Sequence, residues 1–149
     1  MEWSVQSAKE SFYMSNITPQ APQLNQGLWN DLEQKIRKWA DLFGEIAVIT
    51  GPILEKEPTE YKRIGKSNVV VPEYFYKVLL APKITQDGKG TFIALAFIMP
   101  NKNCTGSIFD YAVTIDEVEK RTGLNFFAVI PDILENELEA NIDFAGWIE

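Results

Sequence analysis

The chain has 149 residues, 46% of them hydrophobic, with a formal net charge of −7 at pH 7, a size that permits one globular domain with a real core. Its longest apolar run, Phe92 to Met99, suits a buried strand and is far too short to cross a membrane; no basic-then-apolar leader marks a signal peptide. The lone Cys104 excludes an internal disulfide, and the absence of histidine excludes Ser-His and Cys-His nucleophile pairs and His-containing zinc sites.

Val5 to Glu10 reads as a short helix, and Phe12-Tyr-Met-Ser15 as a brief extended piece. Pro19 and Pro22 keep residues 16–24 irregular, because each proline pushes its predecessor out of helical geometry. The strongest predicted element is a helix from about Asn25 to Phe43. Leu28, Leu32, Ile36, Trp39 and Phe43 recur at three- and four-residue spacing and form one apolar stripe, expected to be buried. Asn25 is the predicted N-cap, with Leu24 and Trp29 as a hydrophobic staple, and Gly44 is the left-handed stop.

Three strands are predicted over 46–53, 69–80 and 91–99. The first and third are apolar on both faces, so both are expected at the centre of the sheet, covered by helices. The turn Gln86-Asp-Gly-Lys-Gly90 makes the second and third antiparallel neighbours. A helix from Thr114 to about Gly123 starts on the capping-box spacing of Thr114 and Glu117. A third, acidic helix runs from near Pro131 to about Glu139. The fold class is α+β: a central, mostly antiparallel sheet flanked by helices. With no repeat, low-complexity tract or long linker, residues 1–149 form a single domain.

Residues 110–149 carry ten Asp/Glu and two Lys/Arg, whereas residues 1–109 carry eleven and twelve. The acidity therefore belongs to the C-terminal region. A nearly neutral remainder is still no phosphate funnel, and a nucleic-acid ligand would need positive charge from elsewhere.

The segment Ser15-Asn16-Ile-Thr-Pro-Gln20, followed by Leu24-Asn25-Gln-Gly27, Trp29 and Leu32-Glu33, resembles the metal-binding segment of the DNA/RNA non-specific endonucleases, the ββα-metal nucleases. Val71-Pro72-Glu-Tyr-Phe-Tyr-Lys77 resembles that family's next strand. Phe97-Ile-Met-Pro-Asn101, Tyr111 to Glu119 and Thr122 to Phe127 resemble its C-terminal portion. The upstream Asp-Arg-Gly-His motif of the family has no counterpart, so the chain resembles a C-terminal part that begins after its general base, with N-terminal strands missing.

The resemblance implies Asn25 as the one direct protein ligand of a Mg²⁺ ion, the rest of the shell being water, which suits a cation that dehydrates reluctantly. It implies Glu33 as a holder of water in that shell and Arg37 as a counter-charge to the phosphate in the transition state. Asn16 would support the site by hydrogen bonding, and Gln20 would touch substrate. The metal would polarise a phosphate oxygen and stabilise the leaving 3′ oxygen while histidine activates water.

Each residue also has a plainer reading: Asn25 a cap, Glu33 and Arg37 an exposed i, i+4 ion pair worth a few tenths of a kcal/mol, Asn16 a turn former. Trp29 and Trp39 read as core aromatics, and the acidic C-terminal face as solvated surface. Glu117 and Glu119 do not face each other on a helix, so a paired-acid hydrolase has little support.

The function implied is Mg²⁺-dependent, base-non-specific hydrolysis of DNA and RNA phosphodiesters, nearly inactive in this chain without its histidine. The alternative is a non-catalytic remnant that binds nucleic acid or a protein partner. A homodimer, or another chain supplying the missing strands, is compatible with the resemblance, as is a secreted or periplasmic compartment.

Overall fold

The structure, a computed structural model, describes residues 17–147 apart from 86, 129 and 131, without the side chains of Asp132 and Ile133. The helix expected at Val5–Glu10, the extended piece after it and Asn16 lie outside the described residues. In chain order the elements are α1 (Pro22–Asn25), α2 (Leu28–Phe43), β1 (Ala47–Ile53), β2 (Arg63–Ile64), β3 (Val69–Val70), β4 (Tyr74–Ile84), β5 (Gly90–Pro100), β6 (Ala112–Val113), α3 (Ile115–Thr122) and α4 (Asp132–Ala140), with 3₁₀ turns at Pro58–Glu60 and Ile108–Tyr111. β1, β4, β5 and β6 form one antiparallel sheet in that spatial order, and β2 and β3 form a small hairpin beside it.

The alternation of side chains along a strand divides the core in two. Phe75, Leu79 and Ala81 of β4 and Ile93, Leu95, Phe97 and Met99 of β5 face α2, where they meet Trp29, Leu32, Ile36 and Trp39. Tyr76, Val78, Ala94, Ala96 and Ile98 face the other way and pack on Ile115, Val118 and Phe127. Helices therefore cover both faces of the sheet, as the α+β reading requires. The predicted stripe packs as expected: Leu32, Ile36 and Trp39 are buried, and Leu28 and Phe43 are partly buried against the same cluster. The far end of the chain locks onto it, because Trp39 Nε1 donates to the carbonyl of Trp147 at 2.6 Å and the two rings meet edge to face.

Three expectations are corrected. Among the described residues the strand at 46–53 is the sheet's edge, not its centre: β1 pairs there with β4 alone, and Val48 and Ile49 are 42% and 37% exposed. Apolar content cannot tell an edge from a centre, but Pro52 belongs where no ladder N–H is needed. The single strand expected at 69–80 is two, β3 and β4, separated at Val71–Glu73 around buried Pro72. The main helix begins at Leu28 with Gly27 as its N-cap, so Asn25 is not its cap but the last residue of the preceding turn, α1.

The other boundaries agree closely. Thr114 Oγ1 accepts from the amide of Glu117 at 3.2 Å to start α3, and Gly123, at φ 72°, ends it. Against α3 lies α4, which buries Glu139 to 7% exposure beside Asp116, Glu119 and Glu135. Burial first, and then the charges of Glu119, Glu135 and Asp116, push the Glu139 carboxyl up to about 7 from 4.5. The folded chain thus holds a proton that the unfolded chain has already released over this interval, and stability falls as pH rises through it. In a chelating buffer the denaturation free energy is expected to drop by about 3 kcal/mol between about pH 5 and pH 8. Glu139→Gln should flatten that slope in urea titrations across the same range.

Candidate metal and phosphate site

The site is built at the break between α1 and α2. A side chain at Gly27 would place its Cβ 2.5 Å from the carbonyl oxygen of Gln23, a backbone clash that only glycine avoids. This lets α1 fold back on the first turn of α2 and leaves the Asn25 side chain exposed, with no hydrogen bond to any described residue. The loop leading into α1 is tied down from the far end of β5. Asn101 Oδ1 accepts from the Ala21 amide at 2.6 Å, and its Nδ2 donates to the carbonyls of Pro19 and Pro72 at 3.1 and 2.8 Å. The bonds to Ala21 and Pro19 cross 80 and 82 residues of sequence and fix the loop that enters α1 relative to the sheet.

On α2, Glu33 does not pair with Arg37 as the i, i+4 spacing suggests. It meets Lys77 of β4, whose Nζ lies 3.3 Å from Glu33 Oε1 and 4.4 Å from the centre of the Trp29 ring. Lys77 is only 5% exposed. Burial lowers its pKa, and the Glu33 carboxylate opposes that shift. A buried ammonium needs a carboxylate and an aromatic face to replace its water, and in return it holds Glu33 in place. Trp29 is buried as a core aromatic, edge to face with Phe75 at 5.8 Å. Beside it Gln20, Thr18, Thr50, Gly51 and Pro52 line an open depression of about 380 Å³. Arg37 is exposed one turn beyond Glu33, with no ion pair among the described residues.

Of the expected residues, Gln20 thus sits beside Trp29 in the depression, Glu33 sits next to Lys77, Asn25 has no partner among the described residues, and Asn16 lies outside them. Sequence reasoning missed Lys77 and Asn101. The signal for the first is a lone charge within Tyr74-Phe-Tyr-Lys-Val-Leu-Leu80; a lysine in the middle of a central strand needs a partner. The signal for the second is an asparagine directly after a strand-ending proline.

A profile of the DNA/RNA non-specific endonucleases matches residues 1–133. The chain belongs to the DNA/RNA non-specific endonuclease family. It is 34% identical over 141 residues to the mitochondrial endonuclease G of Homo sapiens, covering 89% of this chain and 45% of that protein. It is 34% identical over 137 residues to the mitochondrial nuclease EXOG of Danio rerio (85% and 39%) and 33% over 134 residues to the nuclease of Serratia marcescens (86% and 47%). The chain spans less than half the length of these curated relatives. Among solved structures it is similar to that of an EndoG/EndoGI complex, at 33% identity and a TM-score of 0.69, covering 86% of this chain and 55% of that one. The antiparallel sheet with flanking helices is thus the ββα-metal nuclease architecture. The relatives named mitochondrial do not fit the secreted or periplasmic compartment that the resemblance left open, and no helix among the described residues is long and apolar enough to cross a membrane.

The donors at the break suit a mostly hydrated magnesium ion. The Asn25 amide oxygen is exposed and uncommitted, and Glu33 is a half-exposed carboxylate. Both are hard oxygen donors of the kind that Mg²⁺ takes, and too few to replace its hydration shell.

Proposed function

We propose that this chain is the metal-bearing, C-terminal portion of a Mg²⁺-dependent endonuclease that hydrolyses phosphodiesters in DNA and RNA without base preference. The observation that carries the reading is the family match through the segment in which Asn25 stands uncommitted and Glu33 is held by buried Lys77. Asn25 is the direct ligand of the ion and Glu33 orients water beside it. A bound Mg²⁺ supplies Lewis acidity at a phosphate oxygen and positive charge for the leaving 3′ oxygen. Lys77 fixes the Glu33 carboxylate, so that the water it holds has one position. Arg37, free on the exposed face of α2, contributes a bidentate guanidinium to the phosphate. Gln20, at the rim of the depression beside Trp29, touches the substrate, and Asn16 supports the metal-side loop. The open edge of β1 is where a further strand, from this protein's own sequence or from a second copy, would add to the sheet.

The absent histidine is what favours the second reading, a remnant that binds nucleic acid or a protein without cutting. Two measurements bear on the choice. Millimolar Mg²⁺ is expected to move the backbone amide resonances around Asn25 and Glu33, and Asn25→Ala should remove that response. Equal shifts in both proteins, or none at either position, would place the metal elsewhere. Reading the DNA upstream of Met1 is the other: an in-frame Arg-Gly-His supports the nuclease, and its absence supports the remnant.

A further inference from the structure

The acidic residues that sequence alone reads as solvated surface are drawn together where α3 meets α4. Carboxylate oxygens of Asp116, Glu119 and Glu139 all lie within 4.8 Å of one another. Glu139 is more than nine-tenths buried, and among the described residues its Oε1 has no hydrogen-bond partner; the buried Oε1 of neighbouring Glu135 has none there either. Among the described residues no lysine or arginine pairs with any of the four. Glu119 is anchored, because its Oε1 accepts from the Phe126 amide at 2.7 Å. A buried acceptor without a donor carries a cost, and among the described residues Oε1 of both Glu135 and Glu139 is such an acceptor.

We propose that Asp116, Glu119 and Glu139 form a second cation site, on the face of the sheet opposite α2, that binds one hard divalent ion of the calcium type and pins α4 to α3. The donor set is all oxygen and all carboxylate, with neither nitrogen nor sulfur for a transition metal. Opposite ligands of a calcium ion stand roughly 4.6–5.2 Å apart, twice its usual bond length, against about 4.0–4.2 Å for magnesium. Oxygens that lie within 4.8 Å of one another leave room for calcium's longer bonds, and calcium also tolerates irregular ligand placement. Asp116 is exposed while Glu139 is buried, so the ion enters from solvent and carries water on its open side. The site is independent of the nuclease reading, since none of its residues belongs to the α1–α2 break.

The test is thermal denaturation of the full 149-residue chain, stripped of metal with EDTA and titrated with CaCl₂ or MgCl₂. Calcium in tenfold excess over its dissociation constant, expected on the order of 10⁻⁴–10⁻³ M, should raise the midpoint by about 3–6 °C. Magnesium should do so less. Asp116→Asn, at an exposed position where folding is not at risk, should abolish the increment, while Asn25→Ala should leave it intact. Glu139→Gln should raise the midpoint of the metal-free chain, by removing like-charge repulsion, and also lose the calcium response. No calcium increment in the unmodified chain, an increment that survives Asp116→Asn, or one that Asn25→Ala removes would each overturn the proposal.

Discussion

Supercoiled plasmid incubated with the purified chain in Mg²⁺ is expected to be nicked roughly 10²–10⁴-fold more slowly than by a member of the family that carries the histidine motif. Hydrolysis needs a group that takes a proton from water near neutral pH, and histidine is the side chain poised for it; this chain has none. Two substitutes within the site fail on geometry. Glu33 is engaged with the buried Lys77 ammonium at 3.3 Å. Lys77 has its pKa lowered by burial, which is the direction a lysine base requires, but it is only 5% exposed and lies against Trp29 at 4.4 Å. Little of it is open to water. Asn25→Ala serves as the control for a contaminating nuclease. Robust cleavage abolished by that substitution would mean that another base acts within these residues, and Lys77→Met would then be the first variant to examine.

Asn101→Ala is expected to destabilise the fold by about 3 kcal/mol in urea denaturation with little change in m-value. Its side chain makes three hydrogen bonds, at 2.6, 2.8 and 3.1 Å, with both ends of the amide used. Each is worth about 1 kcal/mol net, and truncation leaves a donor and two acceptors in a half-buried place. Asn101→Asp is the sharper variant. A carboxylate can still accept from the Ala21 amide, yet it faces the carbonyls of Pro19 and Pro72 with nothing to donate. It should therefore be no more stable than alanine at neutral pH. If Asp were tolerated as well as Asn, the two carbonyl contacts would carry no weight and the loop before α1 would be held by something else.

Much of this protein is determined by local sequence. The stripe of α2, the Gly44 stop, the Thr114 cap and Gly123 end of α3, and the antiparallel pairing of β4 with β5 follow from spacing and backbone chemistry that act within a few residues. Asn25 and Glu33 stand out for another reason: the residues around them resemble the family's metal-binding segment, whereas spacing alone would make Asn25 the cap of α2 and Glu33 a partner of Arg37, and the structure shows neither. What the sequence left undecided depends on which elements become neighbours. Whether β1 is centre or edge depends on what pairs beyond it, and its own apolar residues carry no information about that. Lys77 is 44 residues from Glu33 and Asn101 is 80 from Ala21, so neither partnership has a local signature. The acidic cluster shows the same limit. Asp116 and Glu119 share a face of α3, but only the packing of α4 against it brings Glu139 within reach and buries it. Sequence fixed the elements because helix and turn energetics are local; tertiary structure alone chose the charge partners, because burial and Coulomb energy depend on distance in space rather than along the chain.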